Sequence, residues 1–137
     1  MIISELRVYD FRQFKSVDDA PGLKITFHKG LNALIGENDS GKTAVIDALK
    51  LVLLTQSNEY IRPSDEDFYK PIGGDACSEF KIDCTISEFT QNEAKNFIEY
   101  LSFNKAENGI EYTLELHYRA WKEGHKIYQE LRVGDID

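Results

Sequence analysis

Residues 30–43 read Gly30-Leu31-Asn32-Ala33-Leu34-Ile35-Gly36-Glu37-Asn38-Asp39-Ser40-Gly41-Lys42-Thr43. From Gly36 onward the stretch matches the phosphate-loop pattern G-x-x-x-x-G-K-[ST]. The apolar run before Gly36 predicts a short strand. The run after Thr43, from Ala44 to Leu54, predicts a helix. Strand, loop and helix are the setting this motif needs. Gly36 and Gly41 let the backbone come close to a polyphosphate without a Cβ in the way. The successive amides of Glu37, Asn38, Asp39 and Ser40 then form an anion nest, and the helix adds its positive N-terminal end. Lys42 is placed to reach the β- and γ-phosphates. Thr43 offers a hydroxyl to Mg²⁺, which keeps phosphate oxygens and waters as its other ligands. The pattern therefore points to a nucleoside triphosphate with Mg²⁺, and a Gly-rich turn that binds nothing is the reading it must beat.

Working outward, Ile3 to Phe11 reads as a first strand. Asp19-Ala20-Pro21-Gly22 is a turn, and Leu23 to Phe27 alternates as a second strand. The helix expected over about 42–54 is apolar at Val45, Ile46, Ala48, Leu49, Val52 and Leu53. That width predicts burial on more than one face beneath a sheet. Within 62–69, Ser64 can cap a short helical turn containing Asp65 and Asp67. Pro71-Ile72-Gly73-Gly74 is a loop. Phe80, Ile82, Cys84 and Ile86 alternate with polar residues as a half-buried strand. Thr90-x-x-Glu93 is a capping box. With Ala94, Phe97, Ile98 and Leu101 at helical spacing, it predicts an amphipathic helix over about 91–103. Asn108-Gly109 closes that segment. Ile110 to Tyr118 alternates as a strand, Lys122-Glu123-Gly124 turns, and Ile127 to Val133 returns as its partner. The sum is a mixed α/β (α+β) domain with an antiparallel portion.

The chain has 137 residues, enough for one domain with a core, and 42% apolar and 29% charged residues, an ordinary globular balance. Its net charge of −8 argues against this segment being itself the DNA-binding surface of a larger machine. Cys77 and Cys84 fit no zinc spacing and read as free thiols of a cytoplasmic protein. His28, His117 and His125 are scattered. Ser4, Glu5 and Arg7 follow Met1-Ile2-Ile3 too soon for a signal sequence. The apolar run at 44–54 is shorter than the roughly 20 residues a membrane span needs, so no membrane partner is expected. A GTPase would need Asn-Lys-x-Asp. Asn104-Lys105-Ala106-Glu107 ends in the longer Glu, and the Asp-x-x-Gly at Asp19–Gly22 precedes the phosphate loop. A small-molecule kinase usually opens with its phosphate loop near residue 10, whereas here two strands come first. The Tyr112/Tyr118 stripe reads as an ordinary β-face in the core or at a lobe interface rather than a base-stacking platform.

Leu6-x-Val8-x-x-Phe11-Arg12-x-Phe14-Lys15, followed about twenty residues later by the phosphate loop (a Walker A motif), resembles the start of an ABC-type ATPase head. The heads in question are of the SMC and RecF kind, with an AAA domain. Within that group the chain most resembles the OLD-family ATP-dependent endonucleases, over residues 1–54. Ser64 to Phe68 and the strand–helix unit Phe80 to Leu101 look like the same family with less specific motifs. Residues 104–137 fit its antiparallel β-subdomain. The resemblance implies a P-loop NTPase fold and ATP held with Mg²⁺ between two protomers of a homodimer. It places Arg12 beside the nucleotide, against the plainer reading of a surface arginine. It also allows Asp65 and Asp67 near the γ-phosphate side, although a solvated acidic turn is the expectation there. Such heads also need a Ser-Gly-Gly signature and an apolar strand ending in Asp-Glu. Neither is present, nor is the metal-dependent nuclease domain. The whole of 1–137 is therefore expected to be one N-terminal lobe fragment: strands, phosphate loop and helix over 1–56, a loop region over 57–78, and strand, helix and hairpin over 79–137. Its partners would be the remainder of the head, a nuclease domain, and DNA reached through other parts. Alone it is expected to bind ATP without turning it over. An SMC/RecF-like repair ATPase without nuclease activity is the first alternative, and a P-loop-derived interaction domain is the second.

Overall fold

The computed structural model describes residues 1–29, 41–54, 62–107 and 109–134. They form strands β1 (Ile2–Tyr9) and β2 (Leu23–Thr26), helix α1 (Lys42–Leu54), a 3₁₀ turn (Asp65–Asp67) and strand β3 (Glu79–Ser87). Helix α2 (Gln91–Asn96) and strands β4 (Leu101–Ala106), β5 (Gly109–Glu123) and β6 (Lys126–Val133) follow. The strand predicted before Gly36, and the loop Gly36–Ser40 itself, lie outside the described residues.

The strands make one six-stranded sheet in the order β2-β1-β3-β5, with β4 and β6 both on β5. Every described pairing is antiparallel. β3 occupies one edge of β5 from Leu114 to Trp121. The other edge is shared end to end: β6 pairs from Leu116 to Glu123 and β4 from Gly109 to Leu114. At the junction the Gly134 amide donates to the Glu115 carbonyl at 2.8 Å. Gly134 turns away there with φ +98°, a conformation that suits a residue without Cβ.

Helix α1 lies on one face of this sheet. Ala44, Val45, Ala48, Leu51 and Val52 are buried. They recur at the spacing of a single helical stripe. Below them sit Leu6 and Val8 of β1, Phe80, Ile82 and Cys84 of β3, and Tyr118 and Ala120 of β5. The two alanines leave room for close approach to the strands. Burial on a second helix face was expected. Instead Ile46 and Leu53 remain 44% and 42% exposed. The opposite face of the sheet is charged: Arg7 donates to Glu5 at 2.7 Å and to Glu115 at 3.1 Å, and His117 meets Asp83 at 2.8 Å.

The predicted helix over 91–103 is corrected. Thr90 caps it as expected, its Oγ1 accepting from the Glu93 amide at 3.2 Å and its own amide donating to Glu93 Oε2 at 3.0 Å. The helix nonetheless ends at Asn96, and Leu101–Ala106 is strand. Phe97, Ile98, Tyr100 and Phe103 are residues that favour strands. Pairing of Leu101 to Ala106 with β5 satisfies more backbone than another helical turn would. Tyr118 is 1% exposed and its hydroxyl donates to Gln129 at 2.9 Å, so it is a core residue and no stacking platform. Burial pushes that phenol above its ordinary range.

Candidate nucleotide site

The site is built where β1 ends. Phe11 and Phe14 exchange backbone hydrogen bonds of 3.2 and 2.9 Å, closing a two-residue turn with Arg12 and Gln13 at its tip. Arg12 takes φ +52°, a left-handed conformation that costs a non-glycine residue free energy and needs surrounding contacts to hold it. Those contacts are present. The Arg12 amide donates to the Asp67 carbonyl at 2.7 Å. Its Nε donates to Asp67 Oδ1 at 3.0 Å, and its Nη2 meets Asp47 Oδ2 of α1 at 2.8 Å. Burial pulls the guanidinium pKa down, but the hydrogen bonds to Asp67 and Asp47 outweigh it, and the net shift is upward. Arg12 thus ties the 3₁₀ turn to the helix that follows the phosphate loop.

Asp67 is itself buried, at 6% exposure. Its Oδ2 also accepts from the Ser64 amide at 2.9 Å, so the turn after Ser64 is closed by this carboxylate. Asp65 behaves differently: its side chain is 83% exposed and meets Lys122 at 3.1 Å. A solvated acidic turn therefore describes Asp65 and fails for Asp67.

Beneath the turn is an aromatic cluster. Phe80 sits 5.1 Å from Phe11, 5.0 Å from Phe68 and 6.0 Å from Tyr118, centroid to centroid. Such tilted and edge-on pairs add to the burial of their area. They fix the end of β1, the 3₁₀ turn and two strands to one another.

Gly41 closes the assembly. It is buried and has φ +95°. A Cβ there would come within 2.7 Å of the Phe14 ring and 3.0 Å of Gln13 Nε2. Glycine is required at this position for both its dihedral and its space. The Gly41 carbonyl accepts from the Val45 amide at 3.0 Å, starting α1. Lys42 is half-buried and Thr43 exposed on the first turn of α1. Among the described residues no acidic side chain occupies that turn, so none offsets the positive end of the helix. The Thr43 hydroxyl fits a Mg²⁺ ion whose other ligands are phosphate oxygens and water. Among the described residues no cluster of His, Cys, Asp and Glu could hold a metal alone.

Of the residues named from the sequence, Arg12, Gly41, Lys42 and Thr43 fall at one end of the sheet, while Gly36, Glu37, Asn38, Asp39 and Ser40 lie outside the described residues. Gln13, Phe14 and Asp47 were missed as parts of this assembly, and Asp67, which the resemblance allowed near the γ-phosphate side, is found holding Arg12. Asp67 is 55 positions from Arg12 in the chain, and no local pattern announces the pair.

The family model described as "AAA ATPase domain" matches residues 1–131. The chain belongs to this family. Among curated proteins it is similar to the DNA double-strand break repair Rad50 ATPase of Pyrococcus abyssi, 26% identical over 130 residues, or 95% of this chain and 13% of that protein. It is 36% identical to the DNA replication and repair protein RecF of Streptococcus suis over 58 residues, covering 42% of this chain and 14% of that protein. The chromosome partition protein Smc of Chlorobaculum tepidum is 37% identical over 62 residues, covering 45% of this chain and 5% of that protein. The chain thus spans a small part of the length of these relatives. A solved structure from work on ATP-driven dimerization and DNA-stimulated activation of SMC ATPases superposes with a TM-score of 0.58 at 21% identity, covering 94% of this chain and 68% of that one. The fold is that of an SMC-type ATPase head, a P-loop NTPase of the ABC type. Among the described residues, no helix is long and apolar enough to cross a membrane.

Proposed function

We propose that this chain is the MgATP-binding N-terminal lobe of a DNA-processing ATPase head. The carrying observation is Gly41 at φ +95°, wedged against Phe14 and Gln13 where α1 begins. That arrangement delivers Lys42, Thr43 and the helix N-terminus to one point. Lys42 would neutralise the β- and γ-phosphates, and Thr43 would join the Mg²⁺ shell. ATP bound with the metal supplies a polarised γ-phosphate. The part of Arg12 is to hold the 3₁₀ turn and α1 in register through Asp67 and Asp47, so that Gly41, Lys42 and Thr43 are in place before the nucleotide arrives. Whether it also reaches the nucleotide is decided by exchanging it for Lys. The chain has no Ser-Gly-Gly signature and no apolar strand ending in Asp-Glu, so turnover would need segments beyond this one and a second head. We take the lobe as one unit over 1–137 in a cytoplasmic homodimer that meets DNA through other parts.

Two readings of the parent protein differ in chemistry. Similarity to Rad50, RecF and Smc favours a repair or chromosome ATPase. The resemblance of residues 1–54 to OLD-family proteins favours an ATP-dependent endonuclease. Calorimetric titration of ATP with Mg²⁺ tests the binding claim: Lys42→Ala should weaken binding by about 10- to 100-fold, the worth of one or two charge-assisted hydrogen bonds. Equal weak signals in both proteins would favour an interaction domain. Incubation of the full-length protein with plasmid DNA, ATP and a divalent metal separates the parents: nicking supports the endonuclease, and intact DNA with ATP consumption supports the repair ATPase.

A further inference from the structure

The opposite end of the sheet carries a second feature, independent of the nucleotide reading. β3 pairs with β5 only as far as Ile86 opposite Leu114. There β3 leaves: Glu88 takes φ +55°, and the Met1 ammonium donates to its carbonyl at 2.7 Å, pinning the departure. β5 runs on from Thr113 back to Gly109 with β4 on one edge. Among the described residues no strand pairs with its other edge. The gap is a cleft of about 280 Å³ between 87–89 and 110–113. Ile110 is 58% exposed, and Phe103 beside it is 55% exposed, its ring edge-on to Tyr112 at 5.3 Å.

We propose that this cleft receives an extended basic segment of a partner protein, added as a strand to the open edge of β5. An unpaired edge offers main-chain donors and acceptors to such a segment. The side chains specify which segment. Ile110 and Tyr112 point to one face of β5, and Glu111 to the other. Glu88 adds a second carboxylate, and among the described residues no basic side chain lines the cleft. Lys105, the basic residue opposite Ile110, belongs to β4 on the far edge. A strand alternating apolar residues with Lys or Arg would therefore place each kind against its complement. A second copy of this chain, with net charge −8, is a poorer electrostatic match.

The test is an amide NMR titration of the chain with a synthetic peptide of alternating Lys and Val, against the same peptide with Glu for Lys. The Lys peptide should give saturable shifts confined to 87–89 and 109–113. The double variant Glu88→Lys/Glu111→Lys, altered at two exposed side chains, should bind it at least about tenfold more weakly. Lys42→Ala should bind it unchanged, so failure here and failure at the nucleotide site are distinguishable. Absence of those shifts would overturn the proposal. So would equal response to both peptides, or dimerisation through the same amides in sedimentation without peptide.

Discussion

At the Phe80 end of β3, three aromatic contacts, a guanidinium shared by two carboxylates and a buried glycine lock five elements together: the end of β1, the 3₁₀ turn, α1, β3 and β5. At the Ser87 end, about 20 Å away along the strand, the same core face runs out from under α1 and leaves Phe103 and Ile110 in solvent. One sheet thus carries a rigid end and an open end. A phosphate cradle works only if its amides and charges are held in place before the ligand arrives, so rigidity belongs where α1 starts. An edge meant to accept another segment must stay unpaired, at the cost of exposed apolar surface.

Truncating one aromatic at each end should give the largest contrast. Phe80→Ala is expected to cost about 3–5 kcal/mol in urea unfolding, and Phe103→Ala less than about 1 kcal/mol. Equal losses would mean that the ends are not differently packed. Arg12→Ala leaves the buried Asp67 carboxylate without its cation. Because the Arg12 side chain is 29% exposed, the expected loss is about 1–2 kcal/mol. Arg12→Lys should recover less than half of it, since an ammonium cannot span Asp47 and Asp67 as a planar fork does. Full recovery would reduce the clamp to simple charge.

Thiol labelling sharpens the comparison further. Cys84 is buried in the β3 core, and burial pushes its thiol up to about 11. Cys77 is half-buried in the loop before β3. Native protein at neutral pH should alkylate at Cys77 and acquire the second label only on unfolding. Rapid labelling of Cys84 would show that the core between β3 and α1 opens. The smallest effect is expected from pH. Arg119 holds the half-buried Glu79 carboxyl below its usual range through hydrogen bonds of 2.7 and 3.1 Å. The stability it contributes is present above the ordinary carboxylate pKa of about 4.3 and is lost as pH falls through the lowered folded value. Glu79→Gln should flatten the acid limb of the stability profile slightly and leave neutral pH nearly untouched. A large change at pH 7 would contradict this assignment.

What could be read from the chain follows the range of the interactions involved. α1 and the Ser64 turn were legible because a phosphate-loop pattern and a cap act over a few residues. The turn Phe11–Phe14 was not, because its left-handed residue is Arg12 rather than the Gly or Asn that usually signals one. The Arg12 clamp joins residues 12, 47 and 67, and proximity of that kind exists only after folding. β4 was misread because Ala94, Phe97, Ile98 and Leu101 have helical spacing, while the choice between helix and strand was made by β5. The open edge of β5 was invisible for a similar reason: it depends on where β3 departs.

The most direct test of the account is an amide map of the chain titrated with ATP and Mg²⁺. The account predicts saturable shifts at Gly41, Lys42 and Thr43 and in the Arg12–Gln13 turn, absent in Lys42→Ala, with β4 and 109–113 unmoved. Shifts that spare Gly41 to Thr43, or that persist unchanged in Lys42→Ala, would contradict it.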